Sequence, residues 1–337
     1  MSVAVAIIIV VAAAALSAGA IAALWPMLRH YALARPNARS SHSEPTPQGG
    51  GIAVVVATLV VAGICIVGLH AVDADPRAFC FVAGATLLVA AVGAIDDIRT
   101  LGVAPRLALQ ALAAGLMLAA LPAELRVVAA LPWWIERALM LIAALWFINF
   151  TNFMDGIDWI MVAEVVPITL ALGVLSFMGA LPQQAAVVGL ALCGALIGFA
   201  PFNRPVARLF LGDVGSLPIG LLLAWLLVTL AGNGHLIAAL LLPLYFAADA
   251  TITLGQRLLR RERIWEAHRS HFYQRASAGG FTVAEVVARV FLANVVLALL
   301  AIVTVRYQTL MPGIVALSVG VCLVAWLLQT FAQGKPR

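Results

Sequence analysis

The stretch NFTNFMDGIDW, residues 149–159, carries two amides and two carboxylates, Asn149, Asn152, Asp155 and Asp158, in an otherwise apolar region. The residues before it, from Leu139 to Ile148, are almost wholly apolar. A charged side chain in hydrocarbon costs at least about 2–3 kcal/mol, so such a cluster is not carried to a bilayer without a use. Both fold and function turn on what these groups hold, and on which side of a membrane.

Composition supplies the membrane. The 337 residues are 64% hydrophobic and only 10% charged, where soluble domains hold about 25% charged residues. Mean hydropathy is +1.07. A span takes roughly 20 apolar residues. The chain is therefore expected to be an all-α, polytopic integral membrane protein of about 10–11 transmembrane helices, forming a single membrane domain over 1–337. Apolar runs predict helices near 2–24, 50–70, 78–95, 106–122, 134–151, 159–180, 185–202, 216–232, 236–256, 284–305 and 311–331. The fourth is short, and reads either as a full span or as partly re-entrant. No basic segment precedes the first apolar run, so a cleaved signal peptide is not expected. Cys65, Cys80, Cys193 and Cys322 lie in apolar segments without a C-x-x-C pair, and read as small buried hydrophobes.

Charge sets the expected orientation. With the N-terminus outside, the odd loops and the C-terminal tail are cytoplasmic. They hold most of the 20 Lys and Arg residues, including Arg29, Arg35, Arg39, Arg99, Arg106, Arg204, Arg208, the 257–275 arginines and Arg337. The opposite side holds Arg77, Arg126, Arg137 and Arg306. This bias is the positive-inside pattern and puts the C-terminus in the cytoplasm. The basic pI near 9.4 is thus an orientation signal, and no nucleic-acid partner is expected. Asp73, Asp75, Glu124 and Glu136 fall in outer loops and read as solvated. Asp96, Asp97, Asp155, Asp158 and Asp213 all fall at cytoplasmic helix ends. Carboxylates converging on one face suit a hard cation such as Mg²⁺, which binds oxygen ligands and bridges to phosphates.

Each motif has a bland and a chemical reading. Asp96-Asp97, in GAIDDIRTLG, is either a solvated pair facing Arg99 or a metal ligand or base, because adjacent like charges raise each other's cost of ionising. In LFLGDVGSLPIG, residues 209–220, Gly212, Asp213, Gly215 and Ser216 form a turn into a helix. Glycines admit phosphate close to backbone amides, Asp213 is placed to hold a metal and Ser216 to cap the helix; the alternative is a polar turn. In EAHRSHFYQR, residues 266–275, His268, Arg269 and His271 suit a phosphate or diphosphate, whereas Arg257 to Arg263 read mostly as attraction to anionic membrane lipid. The loop 35–51 is a phosphate-lining segment or a linker. Asn149, Asn152 and Asp155, spaced by three, are expected on roughly one helix face. Asp249 and Glu164 are the two intramembrane acids, and Asp249 is expected to pair with an arginine such as Arg257.

Taken in order, Asp96-Asp97, Asn149-x-x-Asn152-x-x-Asp155-Gly156-x-Asp158, Gly212-Asp213-x-Gly215-Ser216 and His268-Arg269-x-His271 resemble the polyprenyl-phosphate N-acetylhexosamine-1-phosphate transferases. The resemblance runs from about residue 35 to 280. It implies a bacterial inner-membrane enzyme facing the cytoplasm, with an active site on loops 25–49, 96–106, 149–158, 203–215 and 257–283. The reaction implied is transfer of a sugar-1-phosphate from a UDP-N-acetylhexosamine to undecaprenyl phosphate with release of UMP, dependent on Mg²⁺ with Mn²⁺ as a substitute. By the same resemblance Asp213 and Asn152 hold the metal, and Asp96 or Asp97 acts on the acceptor phosphate. Arg106 touches that phosphate, His268, Arg269 and His271 hold the diphosphate, and Asp155 and Asp158 lie near the nucleoside; Asn149, Gly212 and Ser216 complete the substrate site. A homodimer is one assembly the reading allows, and the sequence leaves the oligomeric state open. Two departures stand out: Trp159 occupies a usual glycine position, and Gln48 a usual basic one. The HRSHFYQR form resembles the branch that starts surface polysaccharides such as O-antigen. The alternatives are the phospho-N-acetylmuramoyl-pentapeptide transferase of peptidoglycan synthesis and, in a different class, a secondary transporter.

Overall fold

The computed structural model describes the chain except residues 32, 35–44, 70–71, 73, 264–267, 308 and 336–337. Arg35, Arg39, Asp73, Glu266 and Arg337, named above, lie outside the described residues. The architecture is all-α: α1 (Val3–Tyr31), α2 (Gly50–Gly63), α3 (Pro76–Ile98), α4 (Val103–Ala119), α5 (Trp133–Met154), α6 (Ile160–Phe177), α7 (Gln183–Phe199), α8 (Asp213–Leu230), α9 (Leu236–Leu241), α10 (Leu244–Leu259), α11 (Phe272–Ala278), α12 (Val283–Tyr307) and α13 (Leu310–Gln333). A two-residue antiparallel pair joins β1 (Leu33–Ala34) to β2 (Thr46–Pro47).

Among the described residues, eight stretches are long and apolar enough to cross a membrane. One of them, Asp213–Leu241, bends at Asn233 and Gly234, whose backbone leaves the helical region, so we treat α8 and α9 as separate. The apolar helices α4 and α7 are 17 residues each, about 25 Å long at 1.5 Å per residue. With them the number meets the expected ten or so. The fourth expected helix is one continuous α-helix, α4. The ninth expected helix, 236–256, is broken into α9 and α10 at Pro243, which has no N–H to donate and whose ring clashes with the preceding turn.

α8 is apolar on every side and almost wholly buried, as expected of a helix at the centre of a bundle. It packs against α2, α3 and α5. Lipid and protein interiors are equally apolar, so helices in a membrane associate through close packing at small residues. Gly51 meets Gly215 so closely that a Cβ on Gly51 would lie 2.2 Å from the Gly215 Cα. A Cβ on Gly93 would lie 2.3 Å from the Asp213 carbonyl oxygen. These contacts bring the ends of α2 and α3 against the start of α8. Exposed Ile7, Ile8, Ile142, Leu292 and Leu299 form part of the apolar outer surface.

Two further expectations change. Glu136 is buried, not solvated: its carboxylate accepts from the Val127 and Val128 amides, both at 2.7 Å, and pairs with Arg126. It folds the 120–132 loop onto the start of α5. Cys193 is buried, but Cys80 and Cys322 are exposed on the outer surfaces of α3 and α13; a thiol facing lipid loses nothing by exposure.

Candidate active site

The acidic motifs, distant in sequence, meet at one end of the bundle, where α3 and α5 finish and α8 begins. Gly212 precedes α8 with φ +78°, a conformation that favours glycine. α8 then starts at Asp213. Its first amides need acceptors from elsewhere, and Asp97 supplies them: its Oδ1 accepts from the Asp213 amide at 3.0 Å and its Oδ2 from the Val214 amide at 3.1 Å. Asp97 is therefore the residue that caps α8. Ser216, expected in that role, lies inside the first turn and accepts from Asn152 Nδ2 at 2.9 Å. A cap must precede the helix, and α8 begins three residues before Ser216.

Asn152 Nδ2 also donates to Asp213 Oδ1 at 2.7 Å. The amide thus orients the Asp213 carboxylate, and its own Oδ1 remains as an oxygen donor. Asn149 behaves differently: its Nδ2 donates to Gln110 Oε1 at 2.7 Å and to the Leu145 carbonyl at 2.8 Å. A step of three residues falls 60° short of a full turn at 100° per residue. That rotation is enough to aim Asn149 at α4 and Asn152 at α8, so the two do not share a target.

Asp96 accepts from the Leu101 amide at 2.6 Å and from Arg106 Nη1 at 2.9 Å. Arg106 is thus held at the site by Asp96. Asp158, buried, accepts from the Ala207 amide at 2.9 Å. Asp155 follows the end of α5. Burial first, then the charges of Asp213, Asp97 and Asp158, push its carboxyl from 3.8 up to about 8. No three carboxylate, thiol or imidazole groups among the described residues converge into a ready-made metal cage. The donor set still fits a cation that takes one or two carboxylates and completes its shell with water and substrate phosphate, as Mg²⁺ does. Asp155 and Asp213 crowd like charges that a cation would relieve, with Asn152 Oδ1 as a neutral oxygen beside them.

Trp159 occupies its position with φ +63°, a left-handed backbone that explains why glycine is usual there. Its amide donates to Asn203 Oδ1 at 2.7 Å and its indole N–H to the Ala200 carbonyl at 2.6 Å. Asn203 in turn donates to the Leu209 carbonyl at 2.9 Å, tying the 200–212 loop to the α5–α6 turn. Gln48 Nε2 donates to the Asp97 carbonyl at 3.1 Å. A cavity of about 860 Å³ opens beside this turn, lined by Trp25, Arg29, Thr46, Asp158, Arg208 and Thr282 among others. Asp96, Asp97, Asp155 and Asp213 are not in its wall, so it adjoins the acid cluster instead of containing it.

The histidine motif is divided. Arg269 is exposed and His268 half-buried, whereas His271 is buried. Asp249 pairs with His271, not with Arg257; Arg257 instead meets Glu262 at 3.3 Å and the Arg263 carbonyl at 2.9 Å. An arginine eight residues further along α10 lies two turns away, beyond reach of a fully buried acid. Tyr273 carries the motif to the acid turn: its hydroxyl donates to the Phe153 carbonyl at 3.1 Å and sits against Gly156. Sequence reasoning did not single out Gln110, Asn203 or Tyr273. A buried amide in an apolar helix was the available signal for Gln110.

The fold is that of a polytopic membrane protein with acidic and basic side chains gathered at one end of its helical bundle. The sequence profile of glycosyl transferase family 4 matches residues 78–231. Over 321 residues the chain is 30% identical to the undecaprenyl-phosphate α-N-acetylglucosaminyl 1-phosphate transferase of Yersinia pestis, covering 88% of this chain and 82% of that protein. Over 343 residues it is 27% identical to the decaprenyl-phosphate N-acetylglucosaminephosphotransferase of Mycolicibacterium smegmatis, covering 90% and 82%. Over 194 residues it is 36% identical to the phospho-N-acetylmuramoyl-pentapeptide-transferase of a Synechococcus strain, a match that spans 52% of each chain. The chain belongs to glycosyl transferase family 4, the family of these polyprenyl-phosphate sugar-1-phosphate transferases, and is a multi-pass membrane transferase.

Proposed function

We propose that the protein transfers an N-acetylhexosamine-1-phosphate from a UDP-sugar to undecaprenyl phosphate at the cytoplasmic face of the inner membrane, releasing UMP and starting a lipid-linked surface polysaccharide such as O-antigen. The observation that carries this reading is the convergence of Asp97, Asn152 and Asp213 on the start of α8. The length of the match to the Yersinia enzyme supports the choice of donor and acceptor class.

An acceptor phosphate oxygen attacks the β-phosphorus of the donor; the new P–O bond forms as the bond to the bridging oxygen breaks, and UMP leaves. A phosphate monoester has its second pKa near 6, so the attacking oxygen is already ionised at neutral pH and needs no strong base. Positioning is then the main task. Arg106, held by Asp96, is placed to take the acceptor phosphate. Asp97 fixes α8, and Asn152 fixes the Asp213 carboxylate. Asp213, with Asn152 Oδ1, would hold Mg²⁺, or Mn²⁺ in its place. When bound, the cation supplies charge neutralisation for the diphosphate. Gly212 and Ser216 keep the backbone at this turn close-packed. His268 and Arg269 are assigned to the diphosphate, and the cavity beside Asp158 to the rest of the donor. His271, whose ring packs on that of His268, is assigned to the diphosphate with them.

The test is UMP release by purified protein in detergent with undecaprenyl phosphate, Mg²⁺ and a panel of UDP-sugars. Release that needs the lipid and falls at least about a hundredfold in Asp213→Asn supports the reading. No release with any UDP-N-acetylhexosamine overturns it. The peptidoglycan reading rests on the more identical but shorter match to the Synechococcus enzyme. Turnover of UDP-muramoyl-pentapeptide with simple UDP-sugars ignored would select it.

A further inference from the structure

Asp249 lies in α10, fully buried, and no sugar-transfer step above uses it. Its surroundings are unusually complete. Oδ1 accepts from the Phe272 amide at 3.0 Å and from the Thr253 hydroxyl at 3.2 Å, and lies 3.2 Å from His271 Nδ1. Oδ2 accepts from the Tyr273 amide at 3.1 Å and faces the Tyr245 hydroxyl at 3.5 Å. Both oxygens accept from backbone amides, the pattern a carboxylate makes, and the ring completes it if Nδ1 donates. The other ring nitrogen, Nε2, is buried and has no partner among the described residues. A buried nitrogen left unpaired costs roughly 1–3 kcal/mol, a cost that a ligand would offset.

The ring is held on its other sides as well. His268 packs on it with ring centres 4.9 Å apart, and Tyr273 stacks at 5.8 Å. Tyr273 reaches the Phe153 carbonyl and Gly156, so it links the imidazole to the Asp155 turn.

We infer that Asp249 is a positioning residue: it fixes His271 as the Nδ1–H tautomer and leaves Nε2 as the one nitrogen presented to a phosphoryl oxygen or to its proton. The pairing resembles the general way a buried carboxylate sets the orientation and basicity of a working histidine. The inference rests on the transferase reading for the identity of the ligand, but the tautomer itself does not. Among the described residues, the titratable and charged groups around the ring are Asp249, Tyr245 and Arg257 on α10, His268 on the loop and Tyr273 on α11. Glu164 of α6 lies beyond Tyr245, and Arg275, Glu285 and Lys335 stand at the far end of α11.

Two measurements test it. The first is ¹⁵N NMR of histidine-labelled protein in detergent, assigned with His271→Asn. His271 carrying its proton on Nδ1 is the expected result; a proton on Nε2 of the neutral ring overturns the inference whether or not the enzyme turns over. The second is kcat and KM for UMP release. Asp249→Asn is expected to lower kcat by about ten- to a hundredfold with KM little changed. His271→Asn keeps a donor toward Asp249 but removes Nε2, and should lower kcat at least as far. The double variant should be no slower than His271→Asn, since Asp249 acts through that ring. Losses that multiply, or a loss in Asp249→Asn carried by KM with kcat unchanged, reduce Asp249 to packing and overturn the proposal. An inactive wild type with the Nδ1 tautomer present would sink the transferase reading and leave the pairing standing.

Discussion

Trp159 concentrates two opposed effects in one residue. A left-handed backbone at a residue with a Cβ costs roughly 1–2 kcal/mol, yet the ring packs against the core and its N–H bonds the Ala200 carbonyl. Truncating a large, partly buried aromatic removes more than the strain returns. Trp159→Gly should therefore lower stability by about 1–3 kcal/mol, and Trp159→Ala by more, because alanine loses the ring and keeps the strain. Thermal unfolding in detergent reads the order, wild type above glycine above alanine; alanine above glycine would show that the backbone there is not left-handed.

At the scale of elements, the site depends on how α8 is started and how closely α3 approaches it. Asp97→Ala leaves the Asp213 and Val214 amides without their acceptor. The loss of a cap is worth about 1–2 kcal/mol, and the freed Asp213 should slow UMP release at least about tenfold. Asp97→Asn keeps one acceptor and should recover part of both. Gly93→Ala would push a methyl into the Asp213 carbonyl and should destabilise by about 1–3 kcal/mol while slowing turnover. Gly84, on the same helix with nothing within 4 Å, is the control: Gly84→Ala should leave both quantities near wild type. Equal effects at the two glycines would remove the α3–α8 contact from the explanation.

Across the whole molecule, the cluster makes stability depend on pH and cations. Asp155 holds its proton up to about 8 in the fold against 3.8 when unfolded, through burial and then the neighbouring carboxylates. Its contribution is complete below about pH 4 and is lost as pH rises through about 8, because the unfolded chain releases the proton first. Cation-free protein should thus unfold more easily at pH 8 than at pH 6. A divalent cation competes with that proton, so Mg²⁺ should raise the unfolding temperature more at pH 8 than at pH 6. Equal Mg²⁺ shifts at both pH values would exclude Asp155 from the cation's surroundings.

The membrane class, most helices and the acidic motifs were legible in the chain because hydrophobic runs and isolated charges are local properties. Asp96, Asp97, Asn152, Asp155 and Asp213 were readable as a set because ionisable groups at span ends are costly and therefore marked. Their division of labour was not readable. That Asp97 caps α8, that Asn149 turns to α4 while Asn152 turns to α8, and that Asp249 serves His271 instead of Arg257 are each contacts between residues far apart in sequence. The break at Pro243 had its cause in the chain, but whether the helix kinked or ended depended on its neighbours. Sequence by itself determined which residues are expensive to place in a bilayer; only the tertiary structure decided which partner offsets that expense, because hydrogen bonds are satisfied in three dimensions.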